Sequence, residues 1–187
     1  MSLQVTGGEL KGKKLLCPPG LAIRPTPGRV REAVFNILGP AVSGTHILDL
    51  FAGTGAVGIE ALSRGAERAV FIDSSPRALD VARKNIAACG LTGRSLTLRR
   101  EATADLGSLR EITNEIHLVY ADPPYNGGYA VESLMALEKS GVLAGGATII
   151  VEHGARENID AAGAGFQITD RRKYSKTLVS FLQYVVS

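Results

Sequence analysis

Tryptophan is missing from this chain of 187 residues, and aromatics of every kind make up only 5% of it. A core without large rings must be filled by aliphatic side chains, which the 45% hydrophobic content supplies. Cysteine is scarce as well. Cys17 and Cys89 lie far apart and belong to no C-x-x-C pair, which excludes a disulfide framework and a cysteine-based zinc or redox motif. His46, His117 and His153 are scattered, each in or beside an apolar strand, so no metal cluster is expected. No apolar run reaches the roughly 18 residues of a membrane span, and no secretory leader pattern is visible. The resulting expectations are no membrane association and a reducing, cytoplasmic setting. The length suits one well-buried α/β domain and is too short for two large ones.

Charge is unevenly spread. Of the 21 Lys and Arg, six fall before Glu32 (Lys11, Lys13, Lys14, Arg24, Arg29 and Arg31), a span in which Glu9 is the one acid. The cationic excess therefore sits in the N-terminal segment, where a polyanion would be gripped, although a solvated lysine face gives the same composition. Short β-compatible pieces between Leu3 and Leu16, interrupted by Gly7-Gly8 and Gly12, suggest a hairpin that Pro18-Pro19-Gly20 terminates. Val30, Val34, Ile37 and Leu38 recur at helical spacing after Pro27, predicting a helix over 27–38. Beyond it, strands are expected near 46–51, 67–72, 95–100, 115–121 and 146–152, with helices near 56–64, 76–89, 103–112 and 129–139. Such alternation means parallel strands with helices on both faces. The tail, 165–170 and 178–185, lacks an intervening helix and predicts a closing antiparallel pair.

Two strand ends carry chemistry. Ile47 to Phe51 reads as a strand running into Ala52-Gly53-Thr54-Gly55-Ala56-Val57-Gly58, a turn into a helix. Gly53 and Gly55 let a nucleotide-type ligand approach the backbone, and Gly58 allows close helix packing. The glycine pattern alone would also fit a dinucleotide, but Asp49 at the strand end suits the ammonium and sulfonium of S-adenosylmethionine (SAM) better than a pyrophosphate. Asp73 closes the next strand twenty residues after Gly53, a spacing that brings a carboxylate to ribose hydroxyls; a solvated helix N-cap is its structural alternative. For the adenine amine, Glu101 and Asp105 are both candidates, and both could equally be surface acids. The second strand end is Asp122-Pro123-Pro124-Tyr125, after the apolar run Ile116 to Ala121. Proline supplies no N–H, so this stiff turn leaves carbonyl acceptors, a carboxylate and a flat ring, a set that suits a planar base bearing an exocyclic amine.

The Asp122-Pro123-Pro124-Tyr125 segment (DPPY) resembles the motif of enzymes that methylate base amino groups. With the glycine turn, Asp73 and the terminal β pair, the chain resembles a class I SAM-dependent methyltransferase. The N-terminal run Gly7-Gly8-x-x-Lys11-Gly12-Lys13-Lys14-Leu15 and the stretch from Arg24-Pro25-Thr26 through Arg29-Val30-Arg31-Glu32 to Phe35-Asn36-x-Leu38 resemble the RsmD family, bacterial guanine-N2 methyltransferases of small-subunit (16S) ribosomal RNA. Val151-Glu152-His153, Lys173 to Thr177 and Ser180-Phe181 do so too. Ser175 stands where that family usually has glycine, and Gln4 where an arginine is common. The resemblance implies a Rossmann-like α/β fold: a seven-stranded, mostly parallel sheet, helices on both faces, and an N-terminal β-hairpin extension. The implied division is an RNA-binding extension at 1–26 and a methyltransferase domain at 27–187.

By resemblance, Asp49, Gly53, Gly55 and Asp73 bind SAM, yielding S-adenosylhomocysteine, with Thr26 and Arg29 closing its methionine end unless Arg29 holds a phosphate. No metal is implied. Asp122 and the Pro123 carbonyl would accept from the guanine amine, Tyr125 and Pro124 would meet the base, and Lys11, Lys13 and Lys14 would contact phosphates. Since a paired base cannot reach such a pocket, the target must be single-stranded or flipped out. The implied partner is ribosomal RNA, naked or in an assembled small subunit, and the enzyme is expected to act as a monomer. An adenine-N6 methyltransferase and a non-catalytic RNA-binding module of the same fold remain alternatives at the level of sequence.

Overall fold

A computed structural model describes residues 3–18, 27–113, 115–125, 127–160, 163 and 165–185. The chain divides into two compact units, Met1–Arg100 and Glu101–Ser187.

In the first unit, helix α1 (Gly28–Leu38) is followed by β1 (His46–Leu50), α2 (Ala56–Ser63), β2 (Arg68–Asp73), α3 (Pro76–Ala88) and β3 (Ser95–Arg99). The three strands are parallel in the order β3-β2-β1, with Asp49 paired to Phe71 and Asp73 to Arg99. Every residue of β1 is buried, as a central parallel strand requires. Helix α3 starts where local chemistry dictates: the Ser75 hydroxyl accepts from Ala78 N at 3.3 Å, and Pro76 occupies the first turn, where its missing N–H costs nothing. The N-terminal segment turns back on itself as expected: a Gln4–Lys14 antiparallel bridge is flanked by Val5 N donating to Lys13 O at 3.0 Å and Leu15 N to Leu3 O at 2.9 Å. The turn between the two arms is held to α2. Glu9 N donates to Ser63 O at 2.8 Å, Leu10 N to Ser63 Oγ at 2.9 Å, and Ser63 Oγ to Gly7 O at 2.6 Å. At Gly8, φ is +76°, and a Cβ would lie 1.9 Å from Ser63 O, so this approach requires glycine.

In the second unit, β4 (Ile116–Ala121), α4 (Tyr129–Ser140), β5 (Leu143–Gly154), β6 (Phe166–Tyr174) and β7 (Thr177–Tyr184) follow one another. Their order is β4-β5-β7-β6. The first pair is parallel and the two pairs involving β7 are antiparallel, so the expected closing pair is present, with its first strand running to Tyr174 instead of 170 and its second beginning one residue before 178. Two expectations are corrected. The helix predicted over 103–112 is only a 3-10 turn at Gly107–Glu111, because Asp105 Oδ1 accepts from Gly107 N at 2.8 Å and this local turn competes with helix. Strand β5 also begins earlier than 146. Between Ile116–Leu143 and Leu118–Thr148 the partner strand advances by two residues and β5 by five, so Gly145-Gly146 is absorbed as a ladder irregularity instead of ending the strand. Among the described residues, seven strands and four α-helices make the mixed, mostly parallel α/β architecture of the expected class.

The turn between β6 and β7 explains one departure from the family pattern. Tyr174 pairs with Thr177, leaving the two-residue loop Ser175-Lys176, in which Ser175 alone has positive φ, at 58°. That is the φ pattern of a type II′ turn, whose first central position favours glycine. Ser175→Gly is therefore expected to stabilise the protein, by up to about 1 kcal/mol after the larger unfolded-state entropy of glycine is subtracted. Thermal unfolding of the variant checks this, and a lowered Tm would contradict it.

Candidate active site

On the first unit, the end of β1 departs from the strand at Phe51, which has φ of 61°. A bulky aromatic in the left-handed region marks a strained position, and strain of this kind concentrates at functional turns. Sequence reading assigned Phe51 to the strand. Gly53 and Gly55 follow with φ of 54° and 77°, and Gly55 serves as the N-cap residue of α2. The Asp49 carboxylate is buried, and its Oδ2 accepts from Gly58 N at 2.9 Å, so it holds the first turn of α2 from beneath the glycine turn. Gly58 itself lies against Phe71, whose ring would be 2.3 Å from an added Cβ, as the reading of close packing required.

Asp73 is half-buried at the end of β2, with Oδ2 accepting from Gly53 N and Oδ1 from Ser75 N, both at 2.8 Å. The cap of α3 is Ser75, not Asp73. Asp73 instead ties the glycine turn to the β2 end. Asn85, buried on α3, was not evident from sequence: its Nδ2 donates to Thr54 O at 2.9 Å and to Leu16 O at 3.1 Å, while Oδ1 accepts from Leu16 N at 2.7 Å. One side chain thus fixes both the glycine turn and the end of the N-terminal segment. Lys11, Lys13 and Lys14 are exposed on that segment, and Arg29 is exposed on α1. Thr26 lies outside the described residues.

Beneath the lysine-bearing turn is a polar cluster that sequence reading also missed. Glu60, fully buried on α2, accepts from Thr6 N (2.8 Å), Thr6 Oγ1 (2.7 Å), Arg31 Nε (3.2 Å) and Arg64 Nε (2.8 Å). Arg31, buried on α1, also donates through Nη2 to Gln4 O. An acid inside Ala56–Ser63, a helix buried at every position, was the available signal, because such an acid must be paired.

On the second unit, β4 delivers Asp122 half-buried, Pro123 buried, Pro124 exposed and Tyr125 half-buried. The Tyr125 hydroxyl lies 2.9 Å from Thr177 Oγ1 on β7, which fixes the ring relative to the β6–β7 hairpin. Two residues before Asp122, on the same face of the strand, the buried Tyr120 hydroxyl donates to Glu152 Oε1 at 2.5 Å. This contact gives the glutamate of Val151-Glu152-His153 a structural partner. Of the two adenine candidates, Asp105 turns one oxygen to Gly107 N and lines a cleft of about 400 Å³ with Glu132 and Lys139, while Glu101 is exposed.

A glycine turn on β1, an acid closing β2, an Asp-Pro-Pro-Tyr turn after β4 and a terminal antiparallel hairpin define a Rossmann-like α/β protein of the class I methyltransferase type. A family model described as conserved hypothetical protein 95 matches residues 3–183. The chain is 34% identical to ribosomal RNA small subunit methyltransferase D of Escherichia coli, over 89% of this chain and 82% of that one. It is 30% identical to the protein of the same name from Haemophilus influenzae, over 80% and 78%. A solved structure described as "Putative methyltransferase yhhF from Escherichia coli" superposes with a TM-score of 0.85 at 30% identity, covering both chains fully. The chain belongs to this family, the RsmD methyltransferases.

Proposed function

We propose that this protein transfers a methyl group from SAM to the exocyclic N2 of a guanine in small-subunit ribosomal RNA. The observation that carries the reading is the Asp122-Pro123-Pro124-Tyr125 turn, set on β4 with its tyrosine anchored to Thr177. The names of the relatives support rRNA as the substrate class. The residues present suit the cofactor. Each Asp73 oxygen accepts one backbone N–H and keeps a further lone-pair direction for a ribose hydroxyl, beside a turn whose glycines expose backbone. Asp49, Gly53, Gly55 and Asp73 would hold the cofactor, with Arg29 and Thr26 toward its methionine end. When bound, it supplies an electrophilic methyl group on a sulfonium.

The rest falls to the chain. The guanine amine is a poor nucleophile because its lone pair is delocalised into the ring. The Asp122 carboxylate and Pro123 carbonyl accept its two N–H groups, favour a pyramidal nitrogen, and stabilise the positive charge that develops as the N–C bond forms. The amine proton leaves to Asp122 or to solvent. Tyr125 stacks on the base and Pro124 borders it. Lys11, Lys13 and Lys14 position the RNA through phosphates, on a turn that Glu60 and Ser63 hold to α2. The protein works in this reading as a cytoplasmic monomer on ribosomal RNA or the assembled small subunit. Among the described residues, no helix is long and apolar enough to cross a membrane.

Incubation of the protein and labelled SAM with rRNA from cells lacking it, followed by mass-spectrometric mapping, tests the assignment. N2-methylguanosine at one position is expected, and methyladenosine or no label would overturn it. Asp73→Ala is expected to weaken SAM binding by about 1.5–3 kcal/mol, because charge-assisted bonds to ribose are lost and the Gly53 N–H loses its acceptor. Calorimetry on the folded variant reads this directly, and an unchanged Kd would restrict Asp73 to holding the turn.

A further inference from the structure

The run Lys173-Tyr174-Ser175-Lys176-Thr177 takes no part in the reaction scheme except through Thr177. It comprises the end of β6, the two-residue turn and the first residue of β7. Four cations lie on or near it, and the structure sorts them. Arg171 is committed to the fold, with Nε donating to Ser180 Oγ at 3.1 Å and Nη2 to Asp160 Oδ1 at 3.0 Å. Ser180 Oγ is in turn 2.9 Å from His153 Nε2, and His153 Nδ1 is 3.1 Å from Gly154 O. A carbonyl only accepts, so Nδ1 carries the proton, Ser180 donates to Nε2, and Arg171 donates to Ser180, giving a single directed chain. Burial pushes the His153 imidazole below its ordinary value, which keeps it in this neutral form. Arg172 is also spoken for, since its Nε donates to Asp170 Oδ2 at 2.7 Å.

Lys173 and Lys176 are different. Both are exposed, and neither forms an ion pair among the described residues. Lys176 immediately precedes Thr177, whose Oγ1 touches the Tyr125 hydroxyl, so two uncompensated ammonium groups flank the hairpin turn that braces the DPPY ring. The directed chain through His153 and Ser180 fixes the neighbouring part of β6, and so gives that turn a rigid mount.

We propose that the β6–β7 turn is a phosphate-binding rail for single-stranded RNA, with Lys173 and Lys176 contacting phosphates next to the nucleotide whose base lies on Tyr125. This rests on reading the Asp122–Tyr125 turn as the base site. A hydrated, flexible ammonium suits phosphate as a point charge, without demanding one geometry. Contacts so placed hold the backbone while the pocket identifies the base, which explains cations on the hairpin that braces the tyrosine.

The test compares wild type, Lys173→Ala/Lys176→Ala, and a charge-matched control, Arg68→Ala/Lys84→Ala, whose cations are exposed at the start of β2 and on α3. For the hairpin variant, the slope of log K against log[salt] for small-subunit rRNA should fall by about 1.4, roughly 0.7 for each lost contact, and KM for RNA should rise about tenfold. Its kcat should stay within about twofold of wild type once RNA saturates, with SAM affinity and Tm unchanged, because these contacts position and do not react. The control should keep the wild-type slope. An unaltered slope and KM in the hairpin variant, or an equal loss in the control, overturns the rail. Wild type that neither binds nor methylates rRNA would overturn the base-site reading itself, and the wild-type arm alone reveals that outcome.

Discussion

Asp122→Ala is expected to lower kcat for methyl transfer by at least 10²–10³-fold, the order of magnitude seen when one preorganised electrostatic contact to a developing charge is removed. SAM affinity should remain within a few-fold of wild type, because the carboxylate is assigned to the acceptor amine. Asp122→Asn should fall between the two: the amide keeps one oxygen as acceptor for the amine but loses the negative charge and the capacity to take the proton. At the other end of the turn, Tyr125→Phe keeps the ring and loses the 2.9 Å contact to Thr177, whereas Tyr125→Ala loses base stacking as well, at about 1–3 kcal/mol. Single-turnover kinetics with saturating SAM separate these effects from product release. An Asp122→Ala enzyme that turns over near the wild-type rate would sink the proposed chemistry, and would move the role of the acid elsewhere on the β4 end.

How much of this was legible in the sequence follows from the range of each interaction. Strands β1, β2 and β4 and helices α2, α3 and α4 announced themselves because their signals are local: apolar runs, the serine and proline before α3, and glycines where φ turns positive. The positions of Asp49, Gly53, Gly55 and Asp73 at the ends of β1 and β2 were legible for the same reason, since a strand–turn–helix fixes their spacing. The failures were of two kinds. At 103–112 the composition is compatible with helix, and only the Asp105–Gly107 hydrogen bond shows that a competing local turn wins. Elsewhere the information lies between distant residues. Thr177 is 52 positions from Tyr125, Asn85 is 69 from Leu16, and Glu60 is 54 from Thr6, and no periodicity in one segment encodes a partner so far away. The glycine expected at 175 belongs to the readable kind, because the φ of Ser175 is a property of the turn itself.

Glu60→Ala is expected to be the most destabilising single change outside the hydrophobic core. The carboxylate satisfies the Thr6 N–H, the Thr6 hydroxyl, Arg31 Nε and Arg64 Nε, and its removal leaves the Arg31 guanidinium buried without its counter-charge. Breaking a buried pair by deleting one partner costs about 3–5 kcal/mol, much more than an intact pair contributes over apolar residues of similar volume. The sign of the effect in a double variant follows from the same asymmetry. Glu60→Leu with Arg31→Met should be less destabilised than the sum of the single changes, because no uncompensated charge remains. Arg64 is partly exposed, so its freed guanidinium can turn to water. Urea unfolding with a two-state fit measures Glu60→Ala, the two single changes and the double variant, and a Glu60→Ala loss below about 1 kcal/mol would show that water or a shifted side chain replaces the carboxylate. The change should also reach function through the fold. Thr6 bonds Glu60 just before the turn that leads to Lys11, Lys13 and Lys14, so in conditions where the variant remains folded its rRNA affinity should fall while SAM affinity holds, as Asn85 still ties Leu16 to Thr54.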